Sequence, residues 1–173
     1  MSRDFAPISP AIWTSPAFLS LDGDGRQLHL YFISSPHQTS AGCCRIREGY
    51  ALADLGWIAQ QYREALANVM GADLVLHDPR TEETYVKKWF KHKGNIPTNK
   101  DHAKGTMKII SNIDSDLIRE LAEADFLETE WGRRTFPPPA DSGSTGNHPF
   151  DSESVVQPIT SALANSRLMR AGR

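Results

Sequence analysis

Residues 47–90 read REGYALADLGWIAQQYREALANVMGADLVLHDPRTEETYVKKWF, and the punctuation of this stretch decides the fold. Arg47 to Leu55 is predicted to be a helix that turns Tyr50, Leu52 and Leu55 inward. It stops at Gly56, the residue type that tolerates left-handed backbone after a helix. Trp57 to Met70 follows as a second helix, with Ile58, Tyr62, Ala65, Leu66 and Val69 recurring at three- and four-residue spacing, and Gly71 closes it. Asp73 to His77 and Thr84 to Phe90 then alternate apolar and polar residues. Asp78-Pro79-Arg80-Thr81 between them is turn chemistry, so Asp73–Phe90 is expected to be a β-hairpin.

Upstream, residues 1–10 read as an extended arm, and Ala11 to Leu19 as a short helical turn interrupted by Pro16 that packs through Ile12, Trp13, Phe18 and Leu19. Leu21 to Ser34 is a helix candidate capped by Asp22 or Asp24, with Leu28, Tyr31 and Phe32 on one face. Ser35-Pro36 ends it, because the residue before proline is pushed out of helical backbone. Gly42 to Ile46 can form a short strand. Downstream, Lys91 to Asn99 reads as a loop, followed by helices at Lys100–Ile110 and Asp114–Leu127, the second capped by Asp114 or Ser115.

The order helix, short strand, helix, glycine turn, helix, hairpin is that of a winged helix. The expected class is α+β: mostly α with a small β wing, a winged helix-turn-helix with additional C-terminal helices. Residues 1–130 form the expected domain, a size that can bury a real core. Composition changes after Trp131, and Pro137-Pro138-Pro139 and the Gly/Ser-rich stretch after Asp141 mark 131–157 as a flexible linker. Residues 158–173 form a tail, with a short amphipathic helix expected from Ile159, Leu163 and Leu168.

Bulk charge announces no nucleic-acid partner, since the net formal charge is −2 over 173 residues. Its distribution says more. Every lysine lies between Lys87 and Lys108, a window whose one acid is Asp101. The next stretch reverses sign, with Asp114, Asp116, Glu120, Glu123, Asp125, Glu128 and Glu130. A bipolar molecule is expected, basic on one surface and acidic on another. Cys43 and Cys44 are adjacent, an arrangement that rarely bridges, and this fits a reduced interior. With no apolar run of membrane-spanning length and no signal-peptide core, the expected location is cytoplasmic.

In a helix-turn-helix the second helix usually enters the major groove with its early residues near base edges. Here those positions hold Gln60, Gln61 and Arg63; glutamine suits adenine, and arginine suits guanine or phosphate. Arg47 opens the preceding helix. The hairpin brings Arg80, Lys87 and Lys88 to flanking phosphates, and Lys91, Lys93, Lys100 and Lys104 continue the track. Lys100, Lys104 and Lys108 share one helix face. The same glutamines and lysines also suit solvated faces. Lys87 and Lys88 are expected on opposite faces of a strand. Among the aromatics, Trp57 and Phe90 are read as core, and Trp89 as the better candidate for a wing contact. Double-stranded DNA is therefore the expected partner.

The chain resembles a family of small helix-turn-helix proteins encoded by actinobacterial phages. The likeness covers about residues 1–128 and rests on the shared order of several short segments. These are Ser2-Arg3-Asp4-Phe5-Ala6, Ile12-Trp13, Phe18-Leu19, Leu28-His29-Leu30-Tyr31, Ser35-Pro36, Ala41-Gly42, Gly56-Trp57 and Ala65. The wing from Asp78 to Val86, the Lys91-His92-Lys93-Gly94 turn and the helices from Lys100 to Leu121 complete it. The Trp-start and Ala-Gly segments are also similar to the N-terminal domain of phage replisome-organiser proteins. The resemblance implies a DNA-binding winged helix acting in phage replication initiation or transcription control, in the host cytoplasm. Cys43-Cys44 and the tail depart from the family's pattern.

No enzymatic constellation is legible, and the expectation is a protein that is not an enzyme and uses no cofactor or metal. Cys43-Cys44 with His29 or His37 fits no standard zinc spacing, and small buried thiols explain the pair better. Gly23 and Gly25 lack the Gly-Lys-Ser/Thr of a phosphate loop. The alternative function is a protein-interaction module that recruits or inhibits a host replication or transcription factor, through the acidic 114–130 helix or the tail. A homodimer is also open, since Leu117, Leu121 and Phe126 can pack within a monomer or across two.

Overall fold

A computed structural model describes residues 5–138. The expected linker beyond residue 138 and the expected tail helix lie outside them. The described chain is mostly helical with a small three-stranded antiparallel sheet, an α+β architecture.

A 3-10 turn at Pro10–Thr14 and a one-turn helix α1 (Pro16–Leu19) open the chain, each with a proline in its first turn, where the missing N–H costs nothing. Helix α2 (Gly23–Ser34) is capped by Asp22, whose carboxylate accepts the Gly25 N–H at 2.6 Å. Strand β1 (Cys43–Arg45) precedes α3 (Glu48–Leu55). Gly56 then sits at φ 68° and its N–H reaches back to the Leu52 carbonyl, closing α3 and turning the chain. Helix α4 (Ala59–Gly71) packs chiefly on α2 and also meets α3. It starts two residues later than the sequence predicts, because Ile58 takes extended backbone and is the N-cap. Ile58 is consequently 71% exposed instead of turned inward. Tyr50 also faces out, at 59%, and lies stacked on His37.

Strands β2 (Val75–Asp78) and β3 (Glu83–Val86) form a hairpin around a four-residue loop, with Asp78 opposite Glu83. The sheet order is β1-β3-β2, so the strand before the helix pair completes the hairpin on its far side. The second strand is shorter than expected. After Val86 the Lys87 N–H still reaches the Leu74 carbonyl, but Lys88 flips to φ 58° and the chain coils through 3-10 turns at Trp89–Lys91 and Lys93–Asn95. The alternation that suggested a strand to Phe90 is instead a turn that buries two consecutive aromatics. Trp89 is 1% exposed and Phe90 also lies in the core. Trp89 is thus no wing contact; its indole N–H donates to the Ser40 carbonyl at 3.0 Å. Gly42, at φ 75°, makes room for that ring, since a Cβ there would come within 2.4 Å of the indole.

Helices α5 (Lys100–Ser111), α6 (Asp116–Leu127) and α7 (Glu130–Thr135) pack on one another. Ser115 is the cap of α6, while Asp114 pairs with Arg45 at 2.9 Å. A residue the sequence reading passed over holds this end in place. Glu83 of β3 is buried and accepts the backbone N–H groups of Asp114 and Ser115, at 3.0 and 2.7 Å. A carboxylate at a helix N-terminus meets the positive end of its dipole. Helix α7 carries the packed region past residue 130, and Phe136 contacts Phe126 edge-on. Phe126 is fully buried and Leu121 packs on the core, whereas Leu117 is 62% exposed. Among the described residues no helix is long and apolar enough to cross a membrane.

Cys43 and Cys44 are free thiols buried in the core. Burial raises both pKa values, that of Cys44 to about 12, so neither is a thiolate at neutral pH.

Candidate nucleic-acid interface

Two surfaces carry the residues singled out in the sequence. The first is the α3–α4 unit with the hairpin loop. On α4, Gln60 is exposed and donates to Glu64 one turn on, at 2.6 Å. Gln61 is half-buried and donates to Asp24 of α2 at 2.9 Å, so it ties two helices together. Arg63 is exposed and grips Glu48 of α3 in a two-pronged contact of 3.1 and 2.9 Å, which raises its pKa. Arg47, the residue before α3, lies 3.6 Å from Glu82 in the hairpin loop.

The hairpin loop is braced by Asp78. One carboxylate oxygen accepts the Arg80 N–H at 2.9 Å, the turn role expected from the sequence; the other accepts the Ser115 hydroxyl at 2.8 Å. The Ser115 hydroxyl first, then the Arg80 N–H, hold its pKa down to about 2. Arg80 is exposed at the loop and also contacts this carboxylate, at 3.4 Å.

The second surface is the lysine segment. Lys87 pairs with Asp73, which lowers the Asp73 pKa. Neither Lys87 nor Lys88 is on a strand, so the expected alternation across a sheet does not arise. Lys91 reaches Glu128 after the end of α6 at 2.7 Å, which raises the lysine's pKa and lowers the glutamate's. Lys88, Lys93, Lys100 and Lys104 are exposed, and their ammonium groups make no hydrogen bond or ion pair among the described residues. Lys108, one turn beyond Lys104 on α5, is alike in this. Asn99 caps α5 by accepting the His102 N–H at 2.8 Å, which takes up one of the free amides that an anion at this helix start would use.

Of the nine cations in the expected interface, five (Arg47, Arg63, Arg80, Lys87 and Lys91) therefore face carboxylates within the molecule. Such exposed pairs are weak and exchangeable, so each cation can still turn to a phosphate. What pairing removes is net positive potential. The helix pair and the lysine helix are also separate in their packing: α4 leans on α2, α3 and β2, and α5 on α6 and α7. Charge patterning could have hinted at this, because Glu48, Glu64, Asp73 and Glu82 interleave with the arginines near the helix pair, while residues 88–100 hold no acid.

Compared with family models, curated proteins and solved structures, the chain matches none.

Proposed function

We propose that this chain is a winged-helix protein that binds double-stranded DNA, acting in phage replication initiation or transcription control in the host cytoplasm. The observation that carries the proposal is the sheet order. A strand ahead of the α3–α4 pair joins the far strand of the hairpin that follows it, and Gly56 makes a tight left-handed turn between the helices. In a winged helix this connectivity ties the helix-turn-helix to its wing. In that frame α4 enters the major groove, and Gln60 and Arg63 are its base-reading candidates, with Gln61 engaged by Asp24. The 79–82 loop is the wing tip. Lys88, Lys93, Lys100 and Lys104 give phosphate contacts without first breaking a salt bridge.

Salt dependence of duplex binding, read by fluorescence anisotropy, tests this. The slope of log K against log salt is about −0.9 per neutralised phosphate. A slope near −4 is expected if the four unpaired lysines carry binding, and near −8 if all nine cations join. A flat slope, or no binding to any duplex, overturns the proposal.

A second reading, a module that recruits or inhibits a host replication or transcription factor, is favoured by one feature. Helix α6 exposes Leu117 beside Glu120 and Asp116, the latter paired with Arg119, a face with an apolar centre and beside it a carboxylate free of ion pairs among the described residues. A pull-down from host lysate after nuclease treatment separates the readings. A partner retained by wild type and lost in Leu117→Glu supports the module; loss of every partner under nuclease removes it.

A further inference from the structure

An open cavity of about 440 Å³ lies among the N-terminal arm, α1, α2 and the segment that follows β3. Its apolar wall includes Phe18, Leu74, Val86 and Trp89, and Lys88, Lys91 and His92 bring positive or protonatable groups to it. Asp73, the carboxylate in the lining, is paired with Lys87 and also feels the Lys88 charge, but it stands against the ammonium groups of Lys87, Lys88 and Lys91, so the lining carries a net positive charge. This volume is in the range of small-molecule sites, which combine apolar walls with a few fixed polar groups.

His29 supplies a second observation. It belongs to the lining, is 5% exposed, and sits beside the Phe18 ring at 5.9 Å between centroids. Its Nδ1 is buried and has no hydrogen-bond partner among the described residues. A buried polar atom without a protein partner is rare in a settled core, and this one belongs to a residue of the cavity lining. Burial first, then the neighbouring His92, hold its pKa down to about 4, so the ring is neutral at physiological pH and offers one donor and one acceptor nitrogen.

We propose that this cavity binds a small amphipathic anion: a carboxylate or similar monoanion on an apolar body the size of a medium-chain fatty acid. The apolar body covers Ile8, Ile12, Ile33 and Leu74, which are still partly exposed, and removes their surface from water, with the buried Phe18, Val86 and Trp89 behind them. The head group takes the cationic side, facing the Lys88 ammonium, with His29 and His92 as hydrogen-bonding neighbours. A neutral ligand leaves the net positive charge of the lining unanswered, and a cationic one is repelled. The site shares Lys88 with the proposed DNA surface, but it does not rest on the DNA reading and uses no nucleic acid.

Titration calorimetry of the full chain without DNA, using decanoate, decanol and decylamine below their aggregation limits, tests it. One-to-one saturable binding of decanoate is expected, about tenfold tighter than decanol, with decylamine weaker still. Lys88→Glu, a change at an exposed site, is expected to weaken decanoate about tenfold or more and to leave decanol unchanged. Ala17→Phe narrows the cavity and is expected to abolish decanoate binding while duplex affinity stays within about twofold. Equal affinity for the three probes, no saturable binding of decanoate, or a decanoate affinity untouched by Lys88→Glu overturns the proposal. None of these outcomes bears on the salt slope measured with duplex DNA, so the two proposals fail separately.

Discussion

The α3–α4 unit and the segment from Lys88 to Lys108 both carry cations, but they hold them differently. On the helix pair, Arg63 is forked onto Glu48 and Arg47 faces Glu82. In the lysine segment, five ammonium groups extend from the surface with no carboxylate bound to them among the described residues. The first region is the proposed reader of DNA and carries little net charge. The second has the charge and packs with different helices. Affinity and sequence choice are therefore expected to come from separate parts of the molecule, phosphate attraction from residues 88–108 and discrimination from α4.

The largest effect should follow from reversing the free charges. Lys88→Glu with Lys100→Glu and Lys104→Glu is expected to weaken duplex binding by about 100-fold or more at moderate salt, with an unchanged circular dichroism spectrum. Binding that survives the triple change would move the phosphate surface elsewhere and erase the contrast.

Next in size is the joint between the two regions. Gly42→Ala places a methyl against the Trp89 ring at a backbone angle that disfavours it, and so disturbs the anchor of the lysine segment. A loss of about 3 kcal/mol in urea unfolding is expected. A loss under about 1 kcal/mol would mean that Trp89 has room to shift, and that the segment is less firmly fixed than its burial implies.

A pH effect sharpens the comparison by asking how well buried the core is beside the lysine segment. The His29 pKa falls from 6.5 to about 4 on folding, through burial first and His92 second. The unfolded chain therefore takes up this proton before the folded one, and stability drops as pH falls from about 7 toward 4. By about pH 5 the loss should reach roughly 2 kcal/mol, and His29→Leu should remove that part of the dependence. A variant with the same slope as wild type would assign the titration to other groups.

The smallest effect is expected at Arg63. Its pair with Glu48 is exposed, and exposed pairs contribute little to stability. Arg63→Ala should leave the unfolding midpoint at the wild-type value and change affinity for random duplex by less than about threefold. A large loss on random duplex would place phosphate binding on α4 and merge the two regions. A loss confined to a selected site would keep them apart and make Arg63 a base reader.

Much of the fold was legible because its signals are local. Gly56, the Asp78–Thr81 turn and the apolar spacing in α4 each act within a few residues, and the helices and hairpin they predict are present, although Gly71 lies inside α4 and Ala72 caps it. The errors share a cause. Trp57-Ile58 continues a helical pattern, yet left-handed Gly56 delivers the chain extended, so Ile58 faces solvent. Residues 84–90 alternate as a strand does, yet Lys88 turns left-handed so that Trp89 can sit against Gly42, a partner 47 positions earlier.

By itself the sequence determined the order of the main helices and strands and the gathering of all lysines into one window, since propensity, spacing and charge count belong to neighbouring residues. Only the tertiary structure decided which cations stay unpaired, that Glu83 holds the start of α6, and that His29 and the lysines after β3 line one cavity. Those outcomes depend on contacts between distant segments, and the free energy of a charge or a buried nitrogen is set by what stands beside it in space.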